Sequence, residues 1–140
     1  MAMNLSVRLT FCGACEVAFL FYAQCLGGRI VTMLPYGQSP LASQVPEEWH
    51  GKILHASMVT GDLELAGADV APGDFERPQG FFTLLEIPAV AEAERIFQAL
   101  AEGGIVRLVL QKTFWAERFG VLVDRFGIPW EINCPGDQAS

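Results

Sequence analysis

Two cysteines near the beginning of the chain have the spacing of a redox pair. Cys12 and Cys15 flank Gly13 and Ala14, and the pair follows an apolar, strand-like segment and opens a helix-like one. The N-terminus of a helix lowers the pKa of a nearby thiol and so favours the reactive thiolate. Redox pairs of this kind normally also face a cis-proline segment, and none is evident here. The alternative is that both cysteines are small buried residues.

A carboxylate in the last strand-like segment could perform acid–base chemistry. Trp130, Ile132 and Cys134 alternate there with Glu131 and Asn133, as in a strand with one apolar face. The alternation predicts that Glu131 and Asn133 share the opposite face. Glu131 is then either a ligand or general base, or a carboxylate that only holds water or pairs with an arginine.

One histidine and several aromatic residues are further candidates. His55 lies mid-strand, and a neutral imidazole titrates near physiological pH, so it could act as a ligand or as an acid or base. The alternative is a hydrogen-bonded histidine of the core or of an interface. Phe82, Phe114 and Trp115 either pack in the core or line a binding cavity together with Asn133.

Composition excludes several classes of function. The 140 residues are 51% apolar and 18% charged, which excludes a disordered chain. With 9 Lys and Arg against 16 Asp and Glu the net charge is −7, so a nucleic acid is a poor partner. The longest apolar run, residues 17–23, is too short to span a membrane, and we find no export signal. We therefore predict a cytoplasmic protein with reduced cysteines, and the high apolar fraction favours a homodimer.

Hydrophobic periodicity predicts the elements that position these residues. Alternating apolar residues indicate strands, whereas apolar residues three and four apart indicate helices, which here end at glycine pairs. In the first helix Val17, Leu20, Phe21 and Cys25 have this spacing. The predicted strands cover residues 5–11, 29–36, 52–60, 63–67, 81–87, 105–111, 119–123 and 128–134, and the helices cover 14–26 and about 90–100.

The order of elements occurs twice along the chain. When the chain is shifted by 76 positions, Phe21 and Gly27 fall on Phe97 and Gly103. We predict an α+β fold of two βαβββ modules, at about residues 5–68 and 80–134, within one domain that covers residues 1–140. Curved mixed sheets with the helices outside would leave a concave cavity, and such cavities bind small molecules.

Several motifs resemble those of a known family. They include Leu26-Gly27-Gly28, Val45-Pro46-x-x-Trp49, Thr113-Phe114-Trp115 and Asp124-Arg125-Phe126-Gly127-x-x-Trp130. On these motifs the sequence resembles the vicinal oxygen chelate superfamily of glyoxalases, bleomycin resistance proteins and dioxygenases, and within it the PhnB-like branch. The resemblance covers nearly the whole chain and implies a glyoxalase-like fold.

The resemblance also implies where a metal ion would bind. In metal-dependent members, four inward positions supply His, Glu or Gln to one divalent ion that acts as a Lewis acid. At best two of these four ligands are present in this sequence. By position the last ligand falls on Glu131, and the others fall on Ser6 or Arg8, on Glu64 or Leu65, and on Phe81 or Phe82.

Three functions remain open on this basis. The first is a protein of the glyoxalase/bleomycin resistance type that binds an apolar or aromatic small molecule in a concave cavity without requiring a metal. The second is a metal-dependent lyase, isomerase or dioxygenase-like enzyme that uses Glu131 and His55 with zinc, nickel, manganese or iron. The third is a thiol redox protein that uses Cys12 and Cys15. Some PhnB-like proteins are labelled methyltransferases, but no glycine-rich S-adenosylmethionine loop follows the first strand, so we do not expect that activity.

Overall fold

The computed structural model describes residues 2–135 of the chain. These residues form two compact units, and the boundary between the units falls between Glu76 and Arg77. Each unit has the element order βαβββ, which confirms the predicted α+β class and the predicted repeat. No helix in this part of the chain is long and apolar enough to cross a membrane. That both units belong to one domain stays a prediction.

The first unit is a four-stranded sheet with a helix on one face. The strand order is β1-β4-β3-β2, with β1 parallel to β4 and the other pairs antiparallel. Gly67 lies beneath the ring of Phe19, and a Cβ at this glycine would come within 2.5 Å of the ring, so glycine allows the helix to approach the sheet. The elements are β1 (Arg8–Phe11), α1 (Cys15–Leu26), β2 (Arg29–Pro35), β3 (Ile53–Thr60) and β4 (Leu63–Asp69).

The second unit repeats this arrangement. Its strand order is β5-β8-β7-β6, again with one parallel pair, β5 and β8. Gly120 lies beneath Phe97 of the helix, and a Cβ there would come within 2.6 Å of that ring. The elements are β5 (Thr83–Glu86), α2 (Val90–Ala101), β6 (Ile105–Gln111), β7 (Arg118–Val123) and β8 (Pro129–Cys134).

The buried face of α1 includes only part of the apolar set that predicted this helix. Val17 and Leu20 are 61% and 55% exposed, whereas Ala18, Phe19 and Tyr22 are fully buried. The helix is apolar on nearly every side, so the spacing of apolar residues does not decide which side packs on the sheet. The larger aromatic side chains bury more apolar area when they face the sheet, and they determine the orientation.

The first strand is shorter than predicted. It begins at Arg8 rather than at residue 5, and Leu5 is 95% exposed. β1 is an edge strand whose ladder with β4 starts at the pair Arg8 and Ala66. The preceding residues alternate in hydrophobicity but do not join this ladder, although β4 itself begins at Leu63.

A buried aspartate fixes the beginning of β8. Asp124 is 3% exposed, and its Oδ1 accepts hydrogen bonds from the backbone N–H groups of Phe126 and Ile128 at 2.8 and 3.0 Å. Its Oδ2 accepts the indole N–H of Trp130 at 2.9 Å. These bonds close the turn between β7 and β8 and hold Trp130 in the core. They thereby determine which residues of β8 point away from the helix.

Candidate functional site

One face of the second sheet carries the predicted acidic and amide residues. Trp130 and Ile132 of β8 are almost fully buried on the side where α2 packs, whereas Glu131 and Asn133 are half-buried. The predicted alternation of β8 is therefore confirmed. We call the side away from α2 the open face. Its residues on the three paired strands are Leu84, Glu86, Phe119, Val121, Glu131 and Asn133.

An aromatic cluster lies at one end of the open face. The ring centroids of Phe114 and Trp115 are 4.8 Å apart, and those of Trp115 and Phe119 are 5.2 Å apart, both in edge-to-face geometry. Phe119 is the ladder partner of Asn133. Phe114 and Trp115 remain 96% and 46% exposed. Three of the predicted ligand-binding residues, Phe114, Trp115 and Asn133, are therefore brought together through Phe119.

The Asn133 amide is only weakly held. Its Nδ2 lies 3.5 Å from a carboxylate oxygen of Glu86, at the long limit for a hydrogen bond. Its Oδ1 is buried and has no hydrogen-bond partner among residues 2–135. An unsatisfied buried acceptor costs about 1–3 kcal/mol, so a donor that reached this oxygen would stabilise the site.

Phe82 lies at the other end of the sheet. It lines a cavity of about 340 Å³ together with Pro129, Arg77 and Arg107. Pro129 and Asn133 are at opposite ends of β8, a separation of about 13 Å at the usual rise along a strand. The structure thus separates Phe82 from the aromatic cluster and places it beside two arginines.

Glu131 has apolar neighbours rather than a set of metal ligands. Its ladder partners are Leu84 and Val121. Glu64 and His55 belong to the first unit, where His55 is half-buried opposite Leu34 and its imidazole has no hydrogen bond with another described residue. Within residues 2–135 no three His, Cys, Asp or Glu side chains lie close enough together to hold a metal ion. The donors in this part of the chain therefore do not fit the four-ligand site that the resemblance implies.

Burial keeps Cys15, at the beginning of α1, in its thiol form. Cys15 is fully buried, and burial raises the pKa of its thiol to about 12, with a further rise from the charge of Asp69. The N–H groups of Gly13 and Cys15 donate to Oδ1 of Asp69 at 2.7 and 3.0 Å, so a carboxylate already occupies the helix N-terminus. Cys12 is exposed, and both cysteines are free thiols. The prediction that the helix lowers the thiol pKa is wrong for Cys15, because burial outweighs the helix dipole.

Phe119 and Glu86, which contribute an aromatic ring and a carboxylate to the open face, were not predicted from the sequence. Phe119 could have been found, because Gly120 and Leu122 alternate with it and the short turn before β8 sets the pairing of the two strands. Glu86 could not, because its place beside Asn133 depends on the parallel pairing of β5 with β8. Parallel strands are joined by long connections, and no local pattern reports their register.

A comparison with protein families decides the classification. The model of the Glyoxalase/Bleomycin resistance protein/Dioxygenase superfamily matches residues 9–132. The chain belongs to this superfamily. The match includes all of the strands and helices of the first unit from Leu9 onward and extends into β8, so it confirms the resemblance stated above.

Individual proteins match the chain over nearly their full length. Protein YjdN of Escherichia coli strain K12 is 32% identical over 144 residues, which cover 97% of this chain and 98% of that protein. The crystal structure of protein PA1353 from Pseudomonas aeruginosa is 44% identical with a TM-score of 0.85, covering 96% of this chain and 100% of that one. The PhnB protein of Bacillus cereus has a TM-score of 0.79 at 21% identity, with 94% and 99% covered, and at this identity the likeness concerns the fold alone. Because one fold hosts many reactions, the function has to be argued from the site.

Proposed function

We propose that the protein binds an aromatic or otherwise apolar small molecule on the open face of its second sheet, without requiring a metal ion. The observation that carries this proposal is the exposed aromatic cluster of Phe114, Trp115 and Phe119 beside the Asn133 amide. Single exposed apolar residues are ordinary, but contiguous exposed aromatic rings beside polar groups are typical of binding surfaces.

The polar groups of the open face define what the ligand should carry. Glu86 and Glu131 are carboxylates, and the buried amide oxygen of Asn133 is unsatisfied among residues 2–135, so this end of the face is rich in acceptors. A ligand with a hydroxyl or amine donor on a flat apolar body would complement it. In this arrangement Trp115 and Phe119 contact the ring, and the weakly held Asn133 amide turns towards the donor.

Titration calorimetry with 2-naphthol tests this proposal, because this probe has a flat aromatic body and one hydroxyl donor. We expect saturable binding that weakens about 2- to 10-fold in Phe119→Leu and by a similar factor in Asn133→Ala. The matched controls are Phe81→Leu, outside the aromatic cluster, and Gln98→Ala on the exposed side of α2. Equal affinity in all four variants would contradict the proposal.

Metal loading separates this proposal from the enzymatic alternative based on Glu131. We expect protein that has been stripped with a chelator to retain much less than one zinc, nickel, manganese or iron(II) ion per chain after reloading and desalting. About one tightly held ion per chain, lost in Glu131→Ala, would instead support a metal-dependent enzyme.

We further propose that two copies of the chain associate. Among residues 2–135 the edge strand β6 pairs only with β7, and four of its apolar side chains are exposed, which is a configuration that readily adds a partner strand or surface. Light scattering after gel filtration tests the mass, and a monomer at micromolar concentration would contradict this. The exposed residues of β6 are Ile105, Val106, Leu108 and Val109.

A cytoplasmic location stays a prediction.

A further inference from the structure

The first unit contains a cavity with aromatic and acidic residues in its wall. It lies between the loop that follows β2 and the segment that follows β4, and its volume is about 560 Å³. This is within the usual range of about 300–1,000 Å³ for small-molecule sites. Val45 and Val70 contribute apolar wall, and Tyr36 and Trp49 contribute aromatic wall.

The aromatic wall is held in place by hydrogen bonds. The rings of Tyr36 and Trp49 are tilted by 49° with centroids 6.5 Å apart, and the Tyr36 hydroxyl donates to the carbonyl of Asp69 at 2.8 Å. The loop between them is closed by the Gly37 N–H, which donates to the His50 carbonyl at 3.0 Å. The His50 Nε2–H in turn donates to a carbonyl of the same loop at 2.8 Å. The cavity is therefore formed before a ligand arrives, which reduces the entropic cost of binding.

The charge at this cavity is negative. Glu48 and Asp74 both line it, and no lysine or arginine does so among the described residues. Neither carboxylate has a hydrogen bond or ion pair with another residue of the described part of the chain. Two carboxylates without a counter-charge, next to two aromatic rings, complement a cation with an apolar body.

We propose that this cavity binds an organic ammonium ion. The positive group lies against the faces of Tyr36 and Trp49, where the ring quadrupole attracts it, and Glu48 and Asp74 neutralise it. The apolar remainder of the ligand contacts the aliphatic wall. This site lies within the first unit, and it is independent of the binding proposed for the open face of the second sheet.

Fluorine NMR of protein labelled with 5-fluorotryptophan tests this proposal, because the three tryptophans report on different places. Trp49 lines the cavity, Trp115 belongs to the aromatic cluster, and Trp130 is buried in the second unit. We expect benzyltrimethylammonium to shift the Trp49 resonance in a saturable manner and to leave Trp130 unchanged. Benzyl alcohol, which has the ring without the charge, should produce no saturable Trp49 shift at the same concentrations.

Variants that remove charge without changing shape complete the test. We expect Glu48→Gln and Asp74→Asn to weaken benzyltrimethylammonium binding at least threefold each. Glu47→Gln is the matched control, because Glu47 is the exposed neighbour of Glu48 and does not line the cavity. The proposal is overturned if Trp49 does not respond, if benzyl alcohol is as effective, or if the control weakens binding as much. A shift of Trp115 alone would overturn this proposal while leaving that for the open face intact.

Discussion

The two βαβββ units share their strand order but differ in the charge of the cavity that each contains. The cavity of the first unit presents the carboxylates of Glu48 and Asp74, whereas that of the second presents Arg77 and Arg107. Neither guanidinium group has a hydrogen bond or ion pair with another residue in the 2–135 range. In each unit the loops outside the sheet supply most of these groups, so a repeated backbone supports sites of opposite polarity.

The units also differ in which segments their buried aspartate connects. Asp69 joins the beginning of α1 to the beginning of β3, since it accepts from Gly13, Cys15 and Ile53, all at 3.0 Å or less. The hydrogen bonds that Asp124 accepts from Phe126, Ile128 and Trp130 come from residues two to six positions further along the chain. The first aspartate therefore connects distant segments, and the second one shapes a turn.

Removal of the Asp69 carboxylate should have the largest effect on stability. We expect Asp69→Ala to lower the free energy of unfolding by about 3–5 kcal/mol, because it leaves three backbone donors without their acceptor in a buried site. Urea denaturation measures the loss, and Asp62→Ala in the exposed turn before β4 is the control. Hydrogen exchange should accelerate first at Gly13, Cys15 and Ile53. A loss below 1 kcal/mol would contradict the assigned role.

Asp124→Ala should cost less, about 2–4 kcal/mol, because local hydrogen bonds persist in part in the unfolded chain. The loss of the bond to the Trp130 indole should also shift the fluorescence of that tryptophan. If Asp124→Ala proved more destabilising than Asp69→Ala, the distinction between a long-range and a local anchor would be wrong.

These two aspartates also show how far sequence reasoning reaches. Alternation and helical spacing predicted the βαβββ order and the two faces of β8, because those patterns repeat within a few residues. Nothing local indicated that Asp69, next to an acidic loop, is 1% exposed, because its donors lie up to 56 residues away. The pairing of Phe119 with Asn133 follows from a short turn, whereas the cavity between Trp49 and Asp74 depends on the packing of two separate loops.

Alkaline pH should destabilise the protein through Cys15. The folded-state pKa of about 12 lies above that of an ordinary thiol, so the unfolded chain loses its proton first. The stabilising contribution is complete below pH ~8.5 and is lost as the pH rises towards 12. By pH 10 the free energy of unfolding has fallen by about 2 kcal/mol for this reason.

Denaturation at pH 7 and pH 10 measures this contribution. Cys15→Ala should lose less stability between these two values than the unsubstituted protein does. Cys12→Ser, at an exposed thiol, should keep the full alkaline loss. Parallel pH profiles for the protein and Cys15→Ala would show that the buried thiol is not responsible.

Glu131→Gln should have the smallest effect on stability, within about 0.5 kcal/mol, because the side chain is half-buried on a face without a charged ladder partner. Thermal denaturation measures this difference. Val121→Ala, at the ladder partner of Glu131, is the comparison variant that measures the cost of removing apolar side-chain area. A loss of more than 2 kcal/mol would indicate that Glu131 has a structural partner that stabilises the folded state.

The most direct test of the open-face proposal is the response of Trp115 to an aromatic ligand. In protein labelled with 5-fluorotryptophan, titration with 2-naphthol should shift the Trp115 resonance with a single saturable isotherm, and Trp130 should not move. Phe119→Leu should weaken that isotherm. If 2-naphthol leaves Trp115 unshifted up to its solubility limit, or shifts all three tryptophans equally, the open face of the second sheet is not a binding site for such molecules.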